Sequence, residues 1–295
     1  MKLENYIIEG EFAGKTGHSG IGGNYAYELM NYVGGTLDIY NDKSANDDFI
    51  ATKVLRFPEF KGKIVKNANF KSWQANRGYE TFFEDGALCK DTWDKTPLKV
   101  LFLLKESYLS SKWYGIDGPI DINNGKNKKF WPNIVRWKYL LHETARTGIV
   151  PEFPNWEQLP EVMNKNSHID DIAYVNVKKP LGTSISLHSE IMAYAERDRE
   201  FLTEQIDALA PDVVLCGGTF WPYHFMYNGN DTITKIDERV YQHGDRLILD
   251  FYNPGYYAAK GGEKGLYQKL AEIVRDPDTQ KILRNLSNKK QSHHT

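Results

Sequence analysis

Four largely apolar runs, the first of them uninterrupted, predict buried β-strands in the C-terminal two thirds of the chain. The clearest covers residues 100–104 and opens directly onto Lys105, Glu106 and Tyr108. It has no polar alternation, and such runs are typical of parallel strands that are covered on both faces. The other three runs lie at residues 171–177, 211–216 and 246–251.

Segments with helical spacing separate these runs. Ile134, Trp137 and Leu141 recur at helical intervals, and residues 189–209 and 263–275 show the same period. Strands that alternate with helices imply right-handed crossovers and a parallel sheet. The pattern therefore predicts an α/β fold with three α/β/α layers and a central four-stranded parallel sheet.

The expected domain limits follow from where this pattern starts and stops. Residues 97–280 are predicted to form the α/β domain, and residues 281–295 a polar C-terminal tail. Residues 1–96 are rich in Gly, Asn and aromatic residues, and they predict an N-terminal extension of unclear fold that packs on the core. The run at residues 17–24 follows no convincing strand and lacks the Gly-Lys-Ser/Thr ending of a phosphate loop, so a flexible turn is favoured.

Composition and charge exclude several function classes. The net charge of −2 provides no general basic character that would indicate a nucleic-acid partner. No apolar run approaches the roughly 18 residues of a membrane helix, and the first residues lack the apolar stretch of a signal peptide, so we expect a cytoplasmic protein. Cys89 and Cys216 are far apart, which argues against a disulfide framework, a zinc ribbon or an iron–sulfur cluster. We expect no cofactor.

A local basic cluster departs from this overall balance. Lys126, Lys128 and Lys129 directly precede Phe130 and Trp131. A basic loop followed by aromatic residues could hold a phosphate backbone and stack a base. The alternative is a solvated loop before a helix.

Polar side chains follow the predicted strands. Glu106 stands at the end of the first, Asn176 near the end of the second and Asn253 after the fourth. Ligands of parallel sheets bind beyond the carboxyl ends of the strands, where a carboxylate can act as a base and an amide can both donate and accept. Local alternatives remain open, because Asn176 could cap the turn before Pro180 and Asn253-Pro254-Gly255 is also an ordinary turn sequence.

Taken in order, these strand ends resemble the motifs of the uracil-DNA glycosylase superfamily over about residues 99–257. In that family a loop after the first strand positions the attacking water and then crowds the base, and Lys105-Glu106-Ser107-Tyr108 is similar to it. Val175-Asn176-Val177 resembles the family strand whose Asn reads the pyrimidine edge. Asn253-Pro254-Gly255 is similar to the family's final His-Pro-Ser or Asn-Pro-Ser motif.

The chain departs from the family pattern at three positions. Leu104 stands where the family usually has a glycine before the acidic residue, and Ser107 stands where it has a proline. Gly255 replaces the serine of the final motif, which removes a possible hydroxyl contact to phosphate.

The resemblance implies a uracil-DNA glycosylase-like fold and a monofunctional DNA glycosylase. Such an enzyme hydrolyses the N-glycosidic bond of a damaged or modified pyrimidine, either uracil or a modified cytosine or uracil, in DNA repair or antiphage defence. Its partner would be single- or double-stranded DNA with an extruded base. The alternative is a non-catalytic nucleic-acid or nucleotide-binding protein that retains the fold.

Candidate roles follow for thirteen residues, with no metal site among them. The catalytic candidates are Glu106 and Asn253, the base-binding candidates are Asn176, Tyr108, Phe130 and Trp131, and the DNA-backbone candidates are Lys105, Lys126, Lys128, Lys129, Lys178, Gly255 and Tyr256.

Overall fold

The structure is a computed structural model of the 295-residue chain. It describes residues 36–43, 49–56, 70–107, 130–155, 171–182, 186–256 and 261–291. The chain divides into two compact units, Met1–Lys63 and Ile64–Thr295. The candidate residues Tyr108, Lys126, Lys128 and Lys129 lie outside the described residues.

The described part of the first unit is an antiparallel strand pair. Strands β1 (Thr36–Lys43) and β2 (Phe49–Arg56) pair from Thr36 opposite Arg56 to Lys43 opposite Phe49. Both strands contain the β-branched and aromatic residues that favour extended backbone.

The second unit is built on a seven-stranded mixed sheet with the order β3-β5-β4-β6-β9-β8-β7. Its strands are β3 (Gly86–Ala87), β4 (Val100–Glu106), β5 (Ala173–Lys178), β6 (Val213–Gly217), β7 (Ile233–Asp237), β8 (Val240–His243) and β9 (Arg246–Phe251). Strands β5, β4, β6 and β9 are neighbours and run parallel, whereas β3, β7 and β8 pair antiparallel. The predicted α/β class is confirmed, and the sheet is wider than the four strands that the apolar runs indicated.

Helices cover the sheet. They are α1 (Phe70–Arg77), α2 (Lys90–Lys95), α3 (Phe130–Thr147), α4 (His188–Arg197), α5 (Arg199–Leu209), α6 (Phe220–Met226), α7 (Gly229–Thr232), α8 (Gly262–Arg275) and α9 (Pro277–Gln291). Helices α3, α8 and α9 pack on one another, and their apolar residues join one core cluster with alternate residues of the parallel strands. Helices α4, α5 and α6 contact β5 and β6.

The central strand β4 shows why the apolar runs were informative. Its residues from Val100 to Leu104 are all buried, and only the last two residues of the strand are partly exposed. Val100, Phe102 and Leu104 belong to the cluster with α3, α8 and α9. Leu101 and Leu103 are equally buried and alternate with them, so both faces of the strand are covered.

A buried polar cluster attaches α1 to the junction of α4 and α5. Arg77 donates through Nε to Oδ1 of Asp198 at 2.8 Å, and the Tyr79 hydroxyl donates to Oδ2 of the same carboxylate at 2.7 Å. The Asp198 side chain is fully buried. Beside this cluster, the Trp73 ring stacks on Phe201 with an interplanar angle of 10°. Residues 70–79 are therefore an integral part of the second unit.

Replacing Asp198 with Ala is expected to destabilise the second unit by about 3–5 kcal/mol, because it removes the buried carboxylate that pairs with the Arg77 cation. Urea denaturation of the purified protein measures the change. Asp207→Ala is the matched control, since Asp207 also pairs with an arginine, Arg246, but its side chain is 52% exposed. Equal losses in the two variants would contradict a special role for the buried cluster.

Candidate active site at the carboxyl edge of the sheet

The carboxyl ends of the four parallel strands bring several predicted site residues to one edge. In the register of β4 and β5, Leu104 pairs with Asn176 and Glu106 pairs with Lys178. The turn that contains Asn253 follows the end of β9, which is parallel to β6 and thus opens at the same edge. This is where ligands of parallel sheets bind.

The Glu106 carboxylate is held by two neighbours. Its side chain is 1% exposed, and the Lys178 ammonium lies 2.9 Å from Oε2. The Ser186 hydroxyl donates to Oε1 at 2.5 Å. The two oxygens are thus held from different elements, and the carboxylate has little freedom to rotate.

Lys178 is a buried partner of carboxylates rather than a surface cation. Its side chain is 5% exposed and pairs with Glu190 at 2.5 Å as well as with Glu106. Burial lowers the pKa of Lys178, but the hydrogen bonds to Glu106 and Glu190 outweigh burial and leave the pKa above its ordinary value. The predicted contact of Lys178 with a DNA phosphate does not suit this position, because both carboxylates would have to be displaced first.

Gly182 packs directly against the Glu106 carboxylate. The Gly182 N–H donates to the Ser107 carbonyl at 2.7 Å, which ties the loop after β5 to the end of β4. A Cβ atom on Gly182 would collide with the Glu106 side chain. Only glycine therefore leaves the carboxylate in its observed place.

Asn176 is oriented by a buried aspartate. Oδ2 of Asp85 accepts from the backbone N of Asn176 at 2.8 Å and from its Nδ2 at 3.1 Å. Asp85 is itself held by the Lys179 ammonium and by Nε2 of Gln205. Because the carboxylate can only accept, the amide nitrogen must face it, and Oδ1 and one N–H remain for another partner.

Asn253 closes the turn after β9. Its Oδ1 accepts from the Gly255 N–H at 2.9 Å, and its backbone carbonyl accepts from the Tyr256 N–H at 2.9 Å. Nδ2 of Asn133 fixes the same turn by donating to the Pro254 carbonyl at 2.8 Å. Asn253-Pro254-Gly255 therefore forms a turn, which was the alternative interpretation of this sequence. The Nδ2 group of Asn253 is the part of the side chain that can donate to a ligand.

The two aromatic candidates at the start of α3 occupy different environments. Trp131 is 2% exposed and packs edge-on against Tyr174 in the core. Phe130 is partly exposed and would lie 3.7 Å from a Cβ atom at Gly255. Phe130 therefore lies beside the Asn253 turn, while Trp131 has no open ring face in this arrangement.

The remaining described candidates lie toward the surface. Lys105 is partly buried and packs over Gly218, the residue that follows β6. Tyr256 is 44% exposed, just beyond Gly255. The sequence did not single out Asp85, Gly182 or Ser186, because nothing near them in the chain marks them as neighbours of Glu106 or Asn176.

A cleft of about 600 Å³ lies away from this edge. It is lined by residues before β6 and at the start of β9, which are the amino ends of those strands. In its lining Arg246 pairs with Asp207 at 2.7 Å, and Nδ1 of the lining residue His243 lies 2.8 Å from the hydroxyl of the buried Tyr223. Burial and the Arg246 cation lower the pKa of His243. This cleft holds none of the predicted site residues.

No protein-family model matches the chain, and no curated protein matches it. Among the described ranges, no group of three or more His, Cys, Asp or Glu is placed to hold a metal ion. In the same ranges no helix is both long and apolar enough to cross a membrane.

Gly182→Ala is expected to displace the Glu106 carboxylate and to lower the free energy of unfolding by about 1–3 kcal/mol, the usual cost of forcing an extra carbon into a packed site. Gly255→Ala is the matched control, because its Cβ atom would lie 3.3 Å from Oδ1 of Asn253 and requires only a small adjustment. Denaturant unfolding of both variants measures the difference. A Gly182→Ala protein as stable as the Gly255→Ala protein would show that the loop yields freely.

Proposed function

We propose that this protein is a DNA glycosylase with a uracil-DNA glycosylase-like α/β domain, acting on a damaged or modified pyrimidine. The observation that carries the proposal is the placement of a carboxylate, two side-chain amides and an aromatic ring along one edge of the sheet. Glu106 ends β4, Asn176 lies two residues before the end of the neighbouring parallel strand β5, and the Asn253 turn and Phe130 lie at the same edge.

Glu106 supplies the negative charge that the reaction needs. As the N-glycosidic bond breaks, its electron pair leaves with the base and the sugar becomes an oxocarbenium-like cation. A fixed carboxylate stabilises that cation and can accept a proton from the attacking water. Lys178 and Ser186 hold the carboxylate in place, so little reorganisation is needed when the positive charge develops. Asn253 donates from Nδ2 to the negative charge on the departing base.

The charge state of Lys178 supports hydrolysis by water alone. An amine that attacks the sugar to form an imine must first lose its proton. Lys178 is paired with two carboxylates and its pKa is raised, so it stays protonated. Of the described lysines, Lys178 is the one paired with Glu106. Because its protonated amine cannot attack the sugar, its charge state favours a monofunctional glycosylase, in which water is the nucleophile.

Asn176 reads the base edge in one orientation. Asp85 holds the amide nitrogen, so the amide cannot exchange its donor and acceptor positions. A pyrimidine with an oxo group at C4 and one with an amino group there present opposite patterns at that edge. The site therefore accepts one class and rejects the other. The base must leave the duplex to reach it, and the partly exposed Phe130 ring can stack on the extruded base.

A second candidate is a binding protein that keeps the fold without the chemistry. The observation in its favour is the burial of Glu106, whose side chain is 1% exposed and already paired. Incubating the purified protein with oligonucleotides that carry different modified pyrimidines, and scoring abasic sites on a gel, separates the candidates. An enzyme produces abasic sites with at least one base, and a binder produces none.

Glu106→Gln is expected to lower single-turnover excision by about 10²-fold, the scale of a positioned acid or base, because the amide keeps the shape and loses the charge. Glu190→Gln is the matched control, since it removes the other carboxylate that pairs with Lys178 and leaves Glu106 in place. The control is expected to retain most of the parental rate. If both variants cut equally well, Glu106 is not the catalytic carboxylate.

Asn176→Ala is expected to lower excision selectively. It removes the side-chain amide but keeps the backbone N–H that donates to Asp85. The excision rate on the preferred base should fall by the equivalent of about 1–3 kcal/mol, the scale of a bidentate base contact. The rate on a base with the opposite edge pattern should change little. Single-turnover rates on matched oxo and amino pyrimidines test this. A uniform fall across the panel would show that Asn176 has only a structural role.

A further inference from the structure

We infer that Tyr252 and Tyr256, flanked by Arg239 and Lys269, form a stacking platform for unpaired DNA beside the candidate active site. The inference rests on the proposed function for its choice of DNA. It deepens that function by naming single-stranded DNA as the form of DNA that this surface binds. The four residues are called the tyrosine platform below.

The two rings of the tyrosine platform are stacked before any ligand arrives. Their centroids lie 5.3 Å apart and their planes differ by 18°. Tyr252 packs partly against the core, and Tyr256 is 44% exposed. Tyr256 thus lies at the outer end of a stack whose inner end is anchored.

Two cations lie beside the inner ring. The Arg239 guanidinium is 5.2 Å and the Lys269 ammonium 5.0 Å from the centroid of Tyr252. The contacts of these cations are the Asp250 backbone carbonyl, 3.4 Å from Arg239, and the Tyr252 hydroxyl, 3.4 Å from Lys269. In the described part of the chain, neither cation has a carboxylate oxygen within 4.0 Å. Burial raises the pKa of the Asp250 carboxyl, and the nearby Arg239 cation partly offsets that rise. Their positive charges are therefore available to a phosphate.

The backbone that carries Tyr256 is fixed. The Asn253 carbonyl accepts from the Tyr256 N–H, and the Asn253 side chain accepts from the Gly255 N–H. The same turn contacts Phe130 and is bonded by Asn133 of α3. Binding on Tyr256 therefore orders little backbone, and the turn connects Tyr256 directly to Asn253 of the candidate active site.

Chemistry favours an unpaired strand as the occupant. In a duplex each base already stacks on its neighbours, so its faces are not available to a tyrosine ring. In a single strand the faces are free, and aromatic rings with nearby cations are the usual means of holding such strands without reading sequence. The tyrosine platform combines both elements in four side chains.

Fluorescence anisotropy with an oligodeoxythymidylate of about 12 nucleotides, within the usual site size, tests the inference without any excision. The parental protein is expected to bind this strand more tightly than the same strand annealed to oligodeoxyadenylate. Tyr256→Ala is expected to weaken single-strand binding about tenfold, within the range measured for loss of one stacked base. Tyr256→Phe keeps the ring and is expected to bind like the parent.

Salt dependence tests the two cations. Arg239→Gln and Lys269→Gln are each expected to reduce the slope of log affinity against log salt by about 0.7, the value for one phosphate contact on a single strand. Lys95→Gln is the matched control, because Lys95 is exposed on α2, which leads into the amino end of β4 at the opposite edge. Thermal melting confirms that each variant is folded.

The outcomes separate this inference from the proposed function. Binding to the unmodified strand that depends on Tyr256, from a protein that excises no base, supports the platform and overturns the glycosylase. Excision with unchanged single-strand affinity in Tyr256→Ala overturns the platform and leaves the glycosylase. A parental protein that binds neither strand, or that prefers the duplex, also overturns the platform.

Discussion

The parallel register between β4 and β5 is the constraint on which the candidate site depends. It sets Glu106 beside Lys178 and Leu104 beside Asn176. A slip of one residue would turn every following side chain to the other face of the sheet. The Glu106 carboxylate would then be buried without the Lys178 cation, and an unpaired buried charge costs several kcal/mol. The paired charges at the strand end thus favour this register, because the apolar residues before them are buried on both faces and would fill either face after a slip.

Two adjacent lysines hold the two polar groups of the site. Lys178 pairs with Glu106, and Lys179 pairs with Asp85, the residue that orients Asn176. Lys179 is fully buried, and burial lowers its pKa despite the Asp85 carboxylate. Replacing buried ion pairs with apolar side chains is often neutral or stabilising, so such pairs are poor evidence of a need for stability. Their placement around Glu106 and Asn176 is better explained by a need for fixed orientation.

The sequence allowed the four parallel strands to be predicted, because each is an apolar run bounded by polar residues. It did not reveal β7 and β8, whose residues are mostly exposed or partly exposed and therefore show no continuous apolar signal. Strand β3 is only two residues long. Short and exposed strands depend on partners distant in sequence, and local patterns do not encode those partners.

The candidate site was predicted less completely than the fold. Glu106 and Asn176 could be proposed because they lie at or near the ends of apolar strands, but Asp85 contacts Asn176 across 91 residues of sequence. The burial of Trp131 had a visible signal, since it continues the helical stripe of Ile134 and Trp137 on α3. Phe130 lies four residues before Ile134 and seven before Trp137, so the same period includes it, and only the structure separates the buried Trp131 from the partly exposed Phe130.

The proposed chemistry and the proposed strand contact reside in different kinds of structure. Glu106 and Asn176 are buried and oriented by charged partners, so they have little freedom to adapt to different substrates. The rings and cations around Tyr256 are nearer the surface, where stacking and phosphate contacts tolerate any sequence. The Asn253 turn joins the two regions through hydrogen bonds to Gly255 and Tyr256. Under the proposed function, a strand bound on the rings would lead toward the sheet edge, and selection among bases would rest with the buried Asn176 amide.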